Sequence, residues 1–89
     1  EINFSNNNIC NVKPLENMSN LTTLRLENNS LFDTYSFVAE DGSTKTEKTL
    51  EIFANLNKME LENLYLSGNT GIVDWSIVSS LKWSGKSGF

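Results

Sequence analysis

The sequence predicts a small α/β fold in which about three repeating coils each contribute one short strand to a parallel sheet. Two observations carry this prediction. One stretch has the spacing L-x-x-L-x-L-x-x-N-x-L, filled by Leu21, Leu24, Leu26, Asn29 and Leu31. The same spacing recurs 22 residues upstream and again around Asn69. Repetition at a fixed period indicates stacked units that share one core.

The predicted strands lie at about residues 2–5, 24–27 and 64–67. Successive side chains of a strand point to opposite faces, so the apolar positions enter the core and the polar positions line the other face. The core positions are Ile2, Phe4, Leu24, Leu26, Leu64 and Leu66. The opposite face presents Asn3, Ser5, Arg25, Glu27, Tyr65 and Ser67.

An asparagine follows each strand at the same position, at Asn7, Asn29 and Asn69. A side-chain amide there can donate to and accept from the backbone of neighbouring coils, which would otherwise leave polar groups unpaired. We therefore predict a ladder of structural asparagines. Asn28, which points to solvent in this register, is expected to tolerate alanine.

The second coil is interrupted by an insertion at about residues 38–60. Leu15 and Leu21 are six residues apart, whereas the corresponding Phe37 and Leu61 are twenty-four apart, so eighteen residues are extra. The Asp41-Gly42 pair is a strong turn signal and favours a short hairpin or an ordered loop across residues 34–45.

A helix is predicted after that turn, on the convex side. Thr44 or Thr46 is its expected cap, and its end is expected at about residues 57–59. Its buried side consists of apolar residues at helical spacing, namely Ile52, Phe53, Leu56 and Met59. Beyond the third strand, residues 72–89 are predicted to form a C-terminal cap with a short helix and the aromatic residues Trp75, Trp83 and Phe89.

These repeats resemble the leucine-rich repeat family. The run from Asn7 to Leu21 is similar to the N-x-I-x-x-I-x-P-L-x-x-L-x-x-L pattern of internalin-like bacterial repeats, and the tail is similar to the closing segment of clostridial repeat domains, although Ile77 stands where a proline is usual. The resemblance covers most of residues 1–89. It implies a solenoid with a short parallel sheet on its concave side and helices and turns on its convex side.

Composition excludes several kinds of function. The net charge of −4 argues against a nucleic-acid partner, which needs a basic surface. The chain has no histidine and a single cysteine, Cys10, so an internal disulfide and a cysteine-based metal cluster are excluded. No apolar run approaches the ~20 residues that span a bilayer. No cofactor, metal site or catalytic residue is predicted.

The resemblance implies a non-enzymatic protein-binding module of a bacterial cell-surface or secreted protein, which holds a protein ligand on its concave face. Arg25 and Tyr65 are of the types most enriched in binding hot spots. Two alternatives stay open: a structural C-terminal cap or stalk of a longer solenoid, and a targeting repeat attached to a catalytic domain outside this chain. Because Ile2 already lies in a strand pattern, we expect a piece of a longer protein, fraying, or self-association through the N-terminal strand edge.

Overall fold

Four short strands form a wholly parallel sheet, and two further strands form an antiparallel hairpin beside it. The computed structural model describes all of residues 1–89. The strands are β1 (Ile2–Asn3), β2 (Thr23–Arg25), β3 (Thr34–Val38), β4 (Thr44–Lys48), β5 (Asn63–Tyr65) and β6 (Ser87–Gly88). The helices are a 3₁₀ helix (Lys13–Leu15), α1 (Thr49–Asn57) and α2 (Ser76–Ser79).

The parallel sheet has the strand order β1-β2-β5-β6, and its register follows the repeat. Leu24 of β2 lies opposite Ile2 on one side and opposite Leu64 on the other. The predicted parallel pairing of the first three strands is confirmed. The fourth strand, β6, was not predicted: Ser87-Gly88 has no apolar alternation, and it joins the sheet because Lys86 O and Gly88 O accept hydrogen bonds from Leu64 N and Leu66 N.

The core lies between the inner face of this sheet and α1. Leu24, Leu26, Leu64 and Leu66 have no exposed surface. From α1, the buried side chains are Leu50, Ile52, Phe53 and Leu56. Apolar side chains at helical spacing on one side, and at alternate positions on the other, therefore meet in one cluster.

Two predictions about α1 are wrong. Thr44 and Thr46 do not cap it, because both belong to β4, where the Thr46 hydroxyl lies 3.0 Å from that of Ser36. The helix begins only at Thr49, after Lys48, which makes no side-chain capping bond. Met59, expected on the buried side, is 49% exposed, since the helix ends two residues before it.

The predicted hairpin is present, although the alternation of Tyr35 and Phe37 extends it over Thr34–Lys48. Gly42 has φ of 85° in its turn, and the Asp41 carboxylate accepts from the hydroxyl and the amide of Ser43. These hydrogen bonds, that of the hydroxyl first, lower the pKa of Asp41.

The hairpin is tied to the first coil by a small cluster around Glu47. The Tyr35 hydroxyl donates to Glu47 at 3.0 Å, and Lys13 Nζ lies 3.4 Å from the same carboxylate oxygen. Lys13 Nζ also lies 4.3 Å from the centre of the Phe37 ring. Burial, together with the hydrogen bond to Glu47, raises the pKa of Tyr35 above its ordinary value.

The N-terminal end of the core is partly open. Phe4, which was expected to be buried, is 37% exposed; it lines an open cleft of about 250 Å³ together with Leu26 and Met18. The outer edge of β1 is partly satisfied by its own side chains: Ser5 N donates to Asn3 Oδ1, and Asn7 Nδ2 donates to Ser5 O. This edge is therefore less available for strand pairing than the sequence suggested.

The C-terminal end is closed by aromatic side chains. Phe89 stacks on Trp75 with ring centres 5.8 Å apart and meets Trp83 edge-on at 6.1 Å. The Trp83 indole donates to Val78 O, so the last coil is fixed to α2. Neither α-helix is long and apolar enough to cross a membrane.

Candidate functional site

The buried asparagines fix the turns that follow the strands. Asn69 is 2% exposed. Its Nδ2 donates to Leu66 O in its own coil and to Leu26 O in the preceding one, and its Oδ1 accepts from Leu31 N at 3.3 Å. One amide thus satisfies three backbone groups on two coils.

Asn29 makes the equivalent bonds one coil earlier. Its Nδ2 donates to Leu26 O and Phe4 O, and its Oδ1 accepts from Ile9 N. Leu26 O therefore accepts from both Asn29 and Asn69. Asn7 is exposed and bonds only to Phe4 O and Ser5 O within its own turn.

A second column of residues in the same turns adopts left-handed backbone conformations. Asn6, Asn28 and Gly68 have φ of 60°, 56° and 84°. They directly precede the three repeated asparagines, Asn7, Asn29 and Asn69. Asn28 also donates from Nδ2 to Asn6 Oδ1. Asn28 is exposed, as expected, but an alanine is strained in this backbone region, so we now expect Asn28→Ala to cost stability. The signal was in the sequence, since asparagine and glycine are the residues that adopt it most readily.

The outer face of the parallel sheet holds the six residues predicted to bind a partner. Strand register places Asn3, Arg25, Tyr65 and Gly88 in one row. Ser5, Glu27 and Ser67 follow two residues later on the same strands. Asn3 and Ser67 are exposed, and the other four are half-buried. We call this surface the sheet face.

Arg25 is the centre of the sheet face. Its Nε lies 3.2 Å from Glu1 Oε2 and its Nη1 lies 3.1 Å from Glu27 Oε2. Its Cζ lies 4.0 Å from the centre of the Tyr65 ring, and the Ser5 hydroxyl holds Glu27 through Oε1 at 3.0 Å. The guanidinium is thus fixed from three directions, with a cation–π contact on one side.

A further row of the sheet face was missed by the sequence reasoning, because it depends on β6. Asn63 Nδ2 donates to the Thr23 hydroxyl at 2.9 Å, and Asn63 Oδ1 accepts from Lys86 N at 2.7 Å. Lys86 directly precedes β6, and its carbonyl oxygen accepts from Leu64 N.

No three His, Cys, Asp or Glu side chains lie close enough to hold a metal ion. The sheet face offers hydroxyl, amide, guanidinium and carboxylate groups around one aromatic ring, which is a mixture found in protein interfaces. No protein-family model, no curated protein and no solved structure matches this chain.

Proposed function

We propose that this chain is a segment of an internalin-like leucine-rich repeat solenoid, on the surface of a bacterium or secreted from it, that binds a protein ligand without catalysis. The repeat spacing, the parallel strands in repeat register and the hydrogen bonds of Asn29 and Asn69 support the solenoid. In this proposal the sheet face is the concave side and α1 lies on the convex side.

The arrangement of Arg25 against Tyr65 is the observation that carries the proposed binding role. Immobilising a side chain on binding costs about 0.5–1.5 kcal/mol, and Arg25 is already held by Glu1, Glu27 and the Tyr65 ring. Ion pairs at a protein surface contribute little to stability, typically about 0–1 kcal/mol. A fixed arginine on an aromatic ring is more useful as a preorganised contact for a partner.

The size of the sheet face indicates a short ligand segment. The four strands lie about 4.8 Å apart, and residues are about 3.3 Å apart along a strand, so a face four strands wide and as long as residues 63–67 has a flat area of roughly 200 Å². A standard protein–protein interface buries about 800 Å² on each partner. A loop or an extended segment of the partner protein fits this area better than a broad globular surface.

The proposal is tested by selecting random displayed peptides on the immobilised chain and measuring the affinity of the best binders for variants. Arg25→Ala and Tyr65→Ala should each weaken binding by about tenfold or more. Lys58→Ala and Met59→Ala remove an exposed cation and an exposed apolar side chain elsewhere and should change the affinity less than twofold. Urea melts of all four variants check that each is folded.

A structural role is the second candidate function. The Trp75–Phe89–Trp83 cluster closes the C-terminal end of the core, as a cap requires. If the selection recovers no peptide, or only peptides that bind as tightly to Arg25→Ala and Tyr65→Ala as to the unaltered chain, the sheet face is not a binding surface and the cap interpretation is the better one.

A further inference from the structure

The first coil exposes apolar side chains that are buried at the equivalent positions of the later coils. Phe4 is 37% exposed, whereas Leu26 and Leu66, which occupy the same position of the repeat, have no exposed surface. Ile9 is half-buried, whereas the equivalent Leu31 is fully buried. The N-terminal end of the core therefore lacks the covering that the inner coils have.

Two open clefts cross this end, and no charged residue lines either of them. The cleft at Phe4, of about 250 Å³, continues past Met18 into a second cleft of about 330 Å³, which Ile2 and Asn20 line. We call the surface formed by the two clefts the end face. The apolar residues that it leaves exposed or half-buried are Ile2, Phe4, Ile9, Pro14 and Met18.

The charges that border the end face are paired within the chain. Glu16 lies 3.0 Å from Lys13 Nζ, and Glu1, which precedes Ile2, lies 3.2 Å from Arg25 Nε. The cleft beside the hairpin differs, since lysines and glutamates line it. Two end faces can therefore meet without the repulsion that like charges produce at an interface, although the chain as a whole has a net charge of −4.

We propose that the end face is the contact between two copies of this chain, which pack their first coils against each other about a two-fold axis. In such a dimer both copies use the same patch. The apolar side chains of the two end faces cover one another, and an amide such as that of Asn20 both donates and accepts hydrogen bonds, so the surface is complementary to itself. Side chains rather than strands make the contact, because Ser5 N and Ser5 O at the edge of β1 are already hydrogen-bonded to Asn3 and Asn7.

The size of the end face predicts a dimer that separates on dilution. The smallest cross-section of the chain, 26 × 23 Å, is roughly 600 Å², whereas a standard interface buries about 800 Å² on each partner. The association should therefore be reversible, and the fraction of dimer should depend on the concentration of the chain.

Sedimentation velocity of the unaltered chain over a wide range of concentration is the first test, and we expect the monomer to give way to a dimer as the concentration rises. Asn20→Lys places an unpaired charge on the end face of both copies and should weaken dimerisation about tenfold or more, with partial recovery in high salt. Thr44→Lys adds the same charge to the exposed strand β4 and should change the dissociation constant less than twofold. Both variants alter exposed residues, and thermal melts check that both are folded.

Methyl NMR identifies the face that is used, because the chain has two methionines. Met18 lines both clefts of the end face. Met59 is 49% exposed and lies beyond the end of α1. We expect the methyl signal of Met18 to shift as the concentration rises, while that of Met59 stays in place.

A chain that stays monomeric at every concentration overturns the proposal, and the end face is then left to an occupant other than a second copy. A dimer that Asn20→Lys does not weaken, or in which the Met59 signal shifts and the Met18 signal does not, overturns it as well, because the contact then lies elsewhere. These outcomes are independent of the proposed binding function, since the sheet face and the end face share no residue. Peptide binding that depends on Arg25 and Tyr65 can therefore hold or fail separately.

Discussion

Asn69→Ala should be the most destabilising of the three asparagine replacements, and the structure gives the reason. The variant removes the partners of Leu31 N and Leu66 O, which both belong to residues with no exposed surface. Leu26 O keeps the hydrogen bond from Asn29. Two buried backbone groups are thus left unpaired, at about 1–3 kcal/mol each, which gives a loss of about 4 kcal/mol.

The same replacement at Asn29 and at Asn7 should cost less stability than at Asn69. Asn29→Ala leaves only Ile9 N without a partner, because Phe4 O still accepts a hydrogen bond from Asn7 and Leu26 O still accepts one from Asn69. We expect the free energy of unfolding to fall by about 1–2 kcal/mol. Asn7→Ala removes the hydrogen bond to Ser5 O, which lies at an exposed edge, and should lower the free energy of unfolding by no more than about 0.5 kcal/mol.

Urea unfolding followed by tryptophan fluorescence measures all three losses, with Trp75 and Trp83 as reporters. The order Asn69, Asn29, Asn7 is the result that matters. If Asn69→Ala does not fold in buffer, its midpoint is measured in a stabilising osmolyte with the other two variants under the same conditions. Equal midpoints, or Asn7 as the costliest position, would refute the argument from stranded backbone groups.

Three other predictions concern local features. Asn28→Ala should lower the free energy of unfolding by about 1 kcal/mol, more than Asn28→Gly does, because residue 28 has a left-handed backbone. Gly68→Ala should be more destabilising still, because its Cβ would collide with the Asn28 side chain. Urea midpoints rank the three variants, and equal midpoints for alanine and glycine at position 28 would contradict the argument from backbone strain. Thr49→Val should raise stability by about 1 kcal/mol, because the buried Thr49 hydroxyl has no hydrogen-bond partner; a drop in the thermal midpoint would argue against this. Ser43 lowers the pKa of Asp41, so the contribution of Asp41 to stability is present above its ordinary pKa and is lost as the pH falls through the lowered value. Ser43→Ala should raise the pKa of Asp41 in an NMR titration. An unchanged pKa would count against the hydrogen bond.

The parallel sheet was readable from the sequence because its signal repeats. Apolar residues at alternate positions recur 22 and 40 residues apart, at Ile2, Leu24 and Leu64, and they specify both the burial and the register of three strands. The fourth strand lacked that signal. Ser87 and Gly88 pair through main-chain groups of β5, and main-chain pairing leaves no trace in side-chain type.

The insertion shows where local signals compete. Thr44 and Thr46 suit a helix cap, but they equally suit a strand, and pairing with β3 prevails. The sheet face was predicted as far as β5, and the residues on it were correctly placed on one side of the sheet. The contacts of Arg25 with Glu1 and Tyr65 join residues 24 and 40 positions away, and such distances are set by the fold.

The central claim, that the sheet face is the binding surface, is tested most directly by NMR with a selected peptide bound to the ¹⁵N-labelled chain. We predict that the largest amide shifts cluster at Arg25, Tyr65 and Gly88, with little change in β3, β4 or α1. Shifts centred on the hairpin or on α1, with the amides of β2 and β5 unmoved, would contradict the account.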